Sequence, residues 1–315
     1  MFTLAEPPLF TRLRAARRVL IAGAGGGFDV YAGLPLALAL VGQGKQVHLA
    51  NLSFADLSAL ELRDHVATVR ADSPGDVGYF PERTLARWLA RRDGIPVEVH
   101  AFPRVGPALL RTAYRRLVAE YELDAIVLVD GGTDILMCGD EVGLGTPEED
   151  MSSLCAVAGI EGIERLVVCL GFGIDSYHGV SHADVLENLA ALDRDGAYLG
   201  ALSIPASSAE ATAYREAVEH AQTATPARPS IVNGQIAAAL RGDFGDVRFT
   251  SRTSGSELFV NPLMAMYFAV DLVGLARNVG YLPQLEDLEQ MVEVSLAIEL
   301  YREEAPRRPR RSIPH

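Results

Sequence analysis

At 315 residues, 49% hydrophobic and 22% charged, the chain has the balance of a globular protein with ample material for a core, and its length admits one large α/β domain or two small ones. A net charge of −13 leaves no general basic surface to offset phosphates, which argues against a nucleic-acid partner. Cys138, Cys155 and Cys169 form no CxxC pair and the N-terminus lacks a basic-then-apolar signal pattern, so a soluble protein of the reducing cytoplasm is expected.

Residues 1–15, with Pro7 and Pro8, read as an arm or a short helix. In residues 18–41 a short apolar run meets a glycine cluster (Gly23, Gly25, Gly26, Gly27), then Asp29, then a second apolar run. That order predicts buried strand, tight loop and helix, the opening unit of a doubly wound α/β domain. Pro35 either places the helix start near Gly33 or kinks it. Strands follow at 46–52 and at 65–71, then a helix over 81–92, a strand over 96–102 and an amphipathic helix over 106–121. The unbroken run AIVLV at 125–129 has the character of a central parallel strand covered on both faces. A helix over 147–159, a buried strand over 165–170 and a helix ending near Leu192, with Ser181 and Asp184 as a capping box, come next. Beyond them the spacing predicts a strand over 197–204 and helices over 209–222 (capped by Ser208) and 229–240. A short strand over 247–251 and helices over 262–276 and 285–301 close the fold.

These elements predict a Rossmann-like, mainly parallel sheet with helices on both faces, in one domain spanning 16–302. The tail, 303–315, is expected to be mobile or to dock late. The most membrane-like run, 258–273, carries Asn261, Pro262 and Asp271 and is too short and too polar to span a bilayer. The apolar sequence over 258–278 admits a homo-oligomer, or simply core.

Unusual residues collect where three predicted strands end, and ligands of open α/β sheets sit at the carboxyl ends of strands. Gly25, Gly26 and Gly27 can form a nest of backbone N–H groups for an anion, or merely a tight turn with Asp29 as a cap. A dinucleotide fingerprint fails: Phe28 stands where GxGxxG needs glycine, and Asn51 and Ser53 stand where the ribose-binding acid belongs. In the second loop Asp130 and Asp134 straddle Gly131, Gly132 and Thr133, with Asp140 following. Carboxylates so placed suit a divalent cation (candidates Asp130, Asp134, Asp140), general-base chemistry, or Asx-turns within their own loop. In the third loop Asp175, His178 and His182 offer proton donors and acceptors, the histidines four apart but not on one helix. No HExxH, Walker or GxSxG pattern occurs, which disfavours zinc proteases, P-loop nucleotidases and α/β-hydrolases. Cys138 and Cys155 read as packing residues, and the loop 250–257, with Arg252, as a plain loop or an anion contact.

With GAGGGFDVYAGLPLALAL, VDGGTD, GDE and FGIDSYHGVSHADVLENLAAL in view, the chain resembles, over about residues 18–301, the family catalogued as domain of unknown function 1152. The resemblance implies an α/β fold of bacteria and archaea and carries no activity with it.

The residues themselves lead to an enzyme acting on a small polar metabolite (phosphorylated, nucleotide-like or amino-acid-like) by hydrolysis or group transfer. Asp130, Asp134, Asp175 and His178 would handle protons, with a divalent cation as the possible cofactor. The glycine loop, Asp29, Asn51, Gly131, Gly132, Thr133, Asp140 and His182 would contact the ligand. The alternatives are a non-catalytic metabolite or nucleotide sensor and an NAD-dependent enzyme with an atypical loop.

Overall fold

Every residue from Ala125 to Asp130 is buried, because β5 (Ala125–Asp130) is an inner strand covered on both faces, as its unbroken apolar run requires. The computed structural model describes residues 3–91, 98–255 and 257–313. Its strands are β1 (Arg18–Gly23), β2 (Gln46–Leu52), β3 (Ala67–Val69), β4 (Val99–Phe102), β5, β6 (Glu164–Cys169), β7 (Tyr198–Ser203) and β8 (Met266–Asp271). They form one eight-stranded sheet in the order β3-β4-β2-β1-β5-β6-β8-β7. The centre, from β4 to β6, is parallel, and β3 and β8 join antiparallel. The fold is the doubly wound α/β architecture, with antiparallel additions at its flanks.

Helices α1 (Pro8–Leu13), α2 (Asp29–Ala32), α3 (Leu34–Gly42), α4 (Pro81–Leu89), α8 (Ala209–Ala224) and α9 (Ile231–Leu240) cover one face. Helices α5 (Pro107–Tyr121), α6 (Pro147–Ala158), α7 (His182–Arg194), α10 (Leu272–Asn278) and α11 (Met291–Glu304) cover the other. Alternation along β1 feeds both cores: Leu20 and Ala22 face the second layer, Val19 and Ile21 the first. Between α2 and α3 lies Gly33, where a Cβ would stand 2.5 Å from Ile21 Cγ2, so the chain needs a glycine to bring helix against strand. Pro35 sits in the first turn of α3, where its missing N–H costs nothing. No helix among the described residues is long and apolar enough to cross a membrane.

Several expectations change. The region 262–276 is not one helix: a 3₁₀ turn leads into β8 and then α10, which Asp271 caps by accepting the Gly274 N–H at 2.7 Å. A short apolar run looks alike in a buried strand and a buried helix, and here the strand-formers Tyr267, Phe268 and Val270 decide for the sheet. The apolar segment that admitted an oligomer is thus largely sheet core. Residues 247–251 form no strand, 65–71 contribute only β3, and the last helix begins at Met291 behind a Gln290–Glu293 capping box. Ser208 and Ser181 cap α8 and α7, although Ser181 accepts from Ala183 N rather than completing a box with Asp184. Of the predicted strand over 96–102 and helix over 81–92, residues 96–97 and 92 lie outside the described residues. The tail docks: Arg308 reaches Asp140, Glu141 and Asn188.

Candidate functional site

From β1 the chain runs outward to β2 and β4 on one side, and β5 and β6 are laid on the other, so the loops after β1 and β5 separate at the switch point of the sheet. All three candidate loops leave the same edge, because β1, β5 and β6 are parallel in register.

In the first loop Gly26 and Gly27 have φ of 93° and 60°, the left-handed region that favours glycine. Asp29 opens α2, and its Oδ2 accepts the Gly25 N–H at 2.8 Å, so the nest is turned toward the chain's own carboxylate. Asn51, fully buried at the end of β2, donates to Gly27 O at 2.9 Å and to Glu82 Oε1 at 2.6 Å, and accepts from Val30 N at 3.3 Å. It holds the loop in shape. Burial pushes the Glu82 carboxyl up to about 7.

In the second loop both glycines are space for carboxylates from elsewhere. A Cβ on Gly131 would stand 2.7 Å from Asp29 Oδ1, and one on Gly132 2.6 Å from Asp175 Oδ2. Thr133 N–H donates to Asp175 Oδ2 at 2.7 Å. Asp134 Oδ2 accepts from Thr146 N at 2.8 Å and Thr146 Oγ1 at 3.2 Å, closing the far end of the loop. Among the described residues Asp130 accepts only a long bond, 3.4 Å, from Ile135 N. Asp140 lies apart from these groups, paired with Arg308 at 3.0 Å.

The third loop turns through a 3₁₀ segment, Ile174–His178, that brings Asp175 and His178 into the lining of one cavity. His182 starts α7, packs edge-on against Phe172 at 5.3 Å, and faces a separate depression beneath Arg310 and Arg311. The two histidines therefore do not converge.

The sequence reading missed Asp150, in the first turn of α6. Ligand atoms of Asp29, Asp130 and Asp150 all lie within 4.8 Å of one another. With Asp134 and Asp175 they form a cluster to which no lysine or arginine is ion-paired among the described residues. Burial is the first cause raising every one of these carboxyls, Asp29 to about 8, and repulsion from neighbouring acids adds to it at Asp29, Asp130, Asp150 and Asp175.

Asp29, Asp175 and His178 face a cavity of about 790 Å³. The same cavity is lined by Arg228, Arg252 and Gln235, the last in the first half of α9, and by the aromatic rings of Phe54 and Tyr79. Arg252 donates to Pro229 O at 2.8 Å, and neither arginine has a carboxylate partner among the described residues. Gln235 is 1% exposed and its Nε2 has no hydrogen-bond partner among the described residues. Asp130 and Asp134 lie behind the wall rather than on it.

A family model described as "Protein of unknown function (DUF1152)" matches residues 20–300, in agreement with the motifs. No curated protein and no solved structure matches the chain.

Proposed function

The chain belongs to the DUF1152 family, and for it we propose an enzyme that acts on a small anionic metabolite by hydrolysis or group transfer. The observation that carries this reading is one cavity lined by Asp175 and His178 together with Arg228 and Arg252, neither paired with a carboxylate among the described residues, and the Gln235 amide, unsatisfied among them. A buried donor without a partner costs on the order of 1–3 kcal/mol, so Gln235 suits an acceptor brought by a ligand. Guanidinium groups fit a phosphate or carboxylate, and a cavity of about 790 Å³ suits a metabolite. In this reading the anionic end rests on the arginines and the reacting bond lies toward Asp175 and His178, which move protons to and from it. Asp130 and Asp134 act from behind, Asp134 chiefly by fixing the loop through Thr146.

Hydride transfer fits less well. The Gly25 N–H that a dinucleotide phosphate would use is already taken by Asp29.

Incubation with pools of phosphorylated and carboxylated metabolites, read by mass spectrometry, tests the proposal. At least one compound should be consumed, and His178→Ala and Asp175→Asn should each slow its consumption by about 10²-fold or more at unchanged fold. Binding without turnover would favour the sensor, and neither binding nor turnover would remove the cavity from the account.

A further inference from the structure

We propose that Asp29, Asp130 and Asp150 together hold one divalent cation of the oxygen-preferring class, Mg²⁺ or Mn²⁺; the inference rests on the enzymatic reading only in setting the cation beside the substrate. The three side chains come from separate elements: the start of α2, the end of β5 and the first turn of α6. Their ligand atoms lie within 4.8 Å of one another, close enough for one ion to touch all three.

Two observations besides the clustering of acids point to an occupant. Asp150 is 2% exposed and its Oδ1 has no hydrogen-bond donor among the described residues, so a buried oxygen is left with nothing there to balance it. Beside it the backbone leaves a cradle: a Cβ on Gly25 would stand 2.8 Å from Asp29 Oδ2 and 2.9 Å from both Asp150 oxygens. Charge points the same way. The neighbouring Glu149 is neutralised by Arg104, whereas no arginine or lysine pairs with the three among the described residues. Converging buried carboxylates must take up protons or a cation.

The donor set selects the ion. Three carboxylates without histidine or cysteine suit a hard cation that keeps several waters, and they do not suit zinc. Asp29 is the ligand that also faces the cavity, so it gives the ion a path in and a line to a bound metabolite.

The test is equilibrium binding of Mn²⁺ alone to the whole chain, followed by loss of the free-ion EPR signal, with melting curves in parallel. Wild type should bind one Mn²⁺ per chain, displaced by Mg²⁺, and should melt at higher temperature with the ion. Asp150→Asn should weaken Mn²⁺ at least tenfold while raising the melting temperature of the metal-free protein, because it relieves repulsion. A purely structural Asp150 would give no such opposed pair of effects. Asp140→Asn, outside the cluster, should bind as wild type does. If Asp150→Asn does not fold, Gly25→Ala, which fills the cradle without removing a charge, carries the same expectation of weakened binding. No stoichiometric Mn²⁺ at millimolar concentration, or binding that both variants leave unchanged, overturns the proposal. Turnover without Mn²⁺ binding would refute the metal site alone, and Mn²⁺ binding without turnover of any metabolite would refute the enzymatic reading alone.

Discussion

Glu82 shows how a buried carboxyl sets the pH response of this chain at the scale of one residue. Its folded-state carboxyl titrates near 7 because burial disfavours the charged form. The unfolded chain gives up that proton at lower pH, so this group's contribution to stability is present below about 4.5 and lost as pH rises through about 7. Glu82→Gln keeps an acceptor for Asn51 and removes the titration. Relative to the parent, the variant should therefore gain on the order of 3 kcal/mol between pH 4.5 and pH 7.5, measured by urea unfolding across that range. A difference that stays flat with pH would show Glu82 to be ionised in the fold. Neither Glu82 nor Asp150 was legible in the sequence, because an acid in the first turn of a helix is ordinarily explained by the helix dipole. Asp130, Asp175, Gly131 and Gly132 were legible, since two glycines between acids at a strand end have few purely structural uses. Only the coordinates show that those glycines make room for Asp29 and Asp175.

Among the elements, β8 carries the clearest prediction. It lies between β6 and β7, and Phe268 is 6% exposed against Phe172. Phe268→Ala should cost about 3–5 kcal/mol in unfolding free energy. A cost below about 1 kcal/mol would mean that the Phe268 side chain is not packed in the core. Ser208→Ala should cost about 1 kcal/mol, because its Oγ caps α8 by accepting Ala211 N–H at 3.0 Å. The parallel centre of the sheet was readable because AIVLV and RLVVCL are continuous apolar runs ending in glycine and acid. The antiparallel flank was not, since its partners lie far apart in sequence and no turn residue marks the pairing.

At the scale of the whole molecule, the last residues hold the long loop after β5 in place. Arg308 pairs with Glu141, which is fully buried and also accepts the N–H groups of Cys138 and Gly139 at 2.8 Å. Arg308→Ala leaves that carboxylate without its cation and should cost on the order of 3 kcal/mol, read by thermal or urea unfolding. An unchanged midpoint would mean that the tail does not dock. The same loop begins at Asp130, so the tail is anchored on the loop that carries one of the clustered carboxylates. The central claim is that loops from β1 and β5, with α6, build one cation-holding floor beside the cavity at the switch point of the sheet. An anomalous difference map at the manganese edge, from crystals grown in Mn²⁺, tests it most directly. The account predicts one strong peak about 2 Å from carboxylate oxygens of Asp29, Asp130 and Asp150. Well-ordered side chains with no peak among them, or manganese only at surface acids such as Asp140, would contradict it.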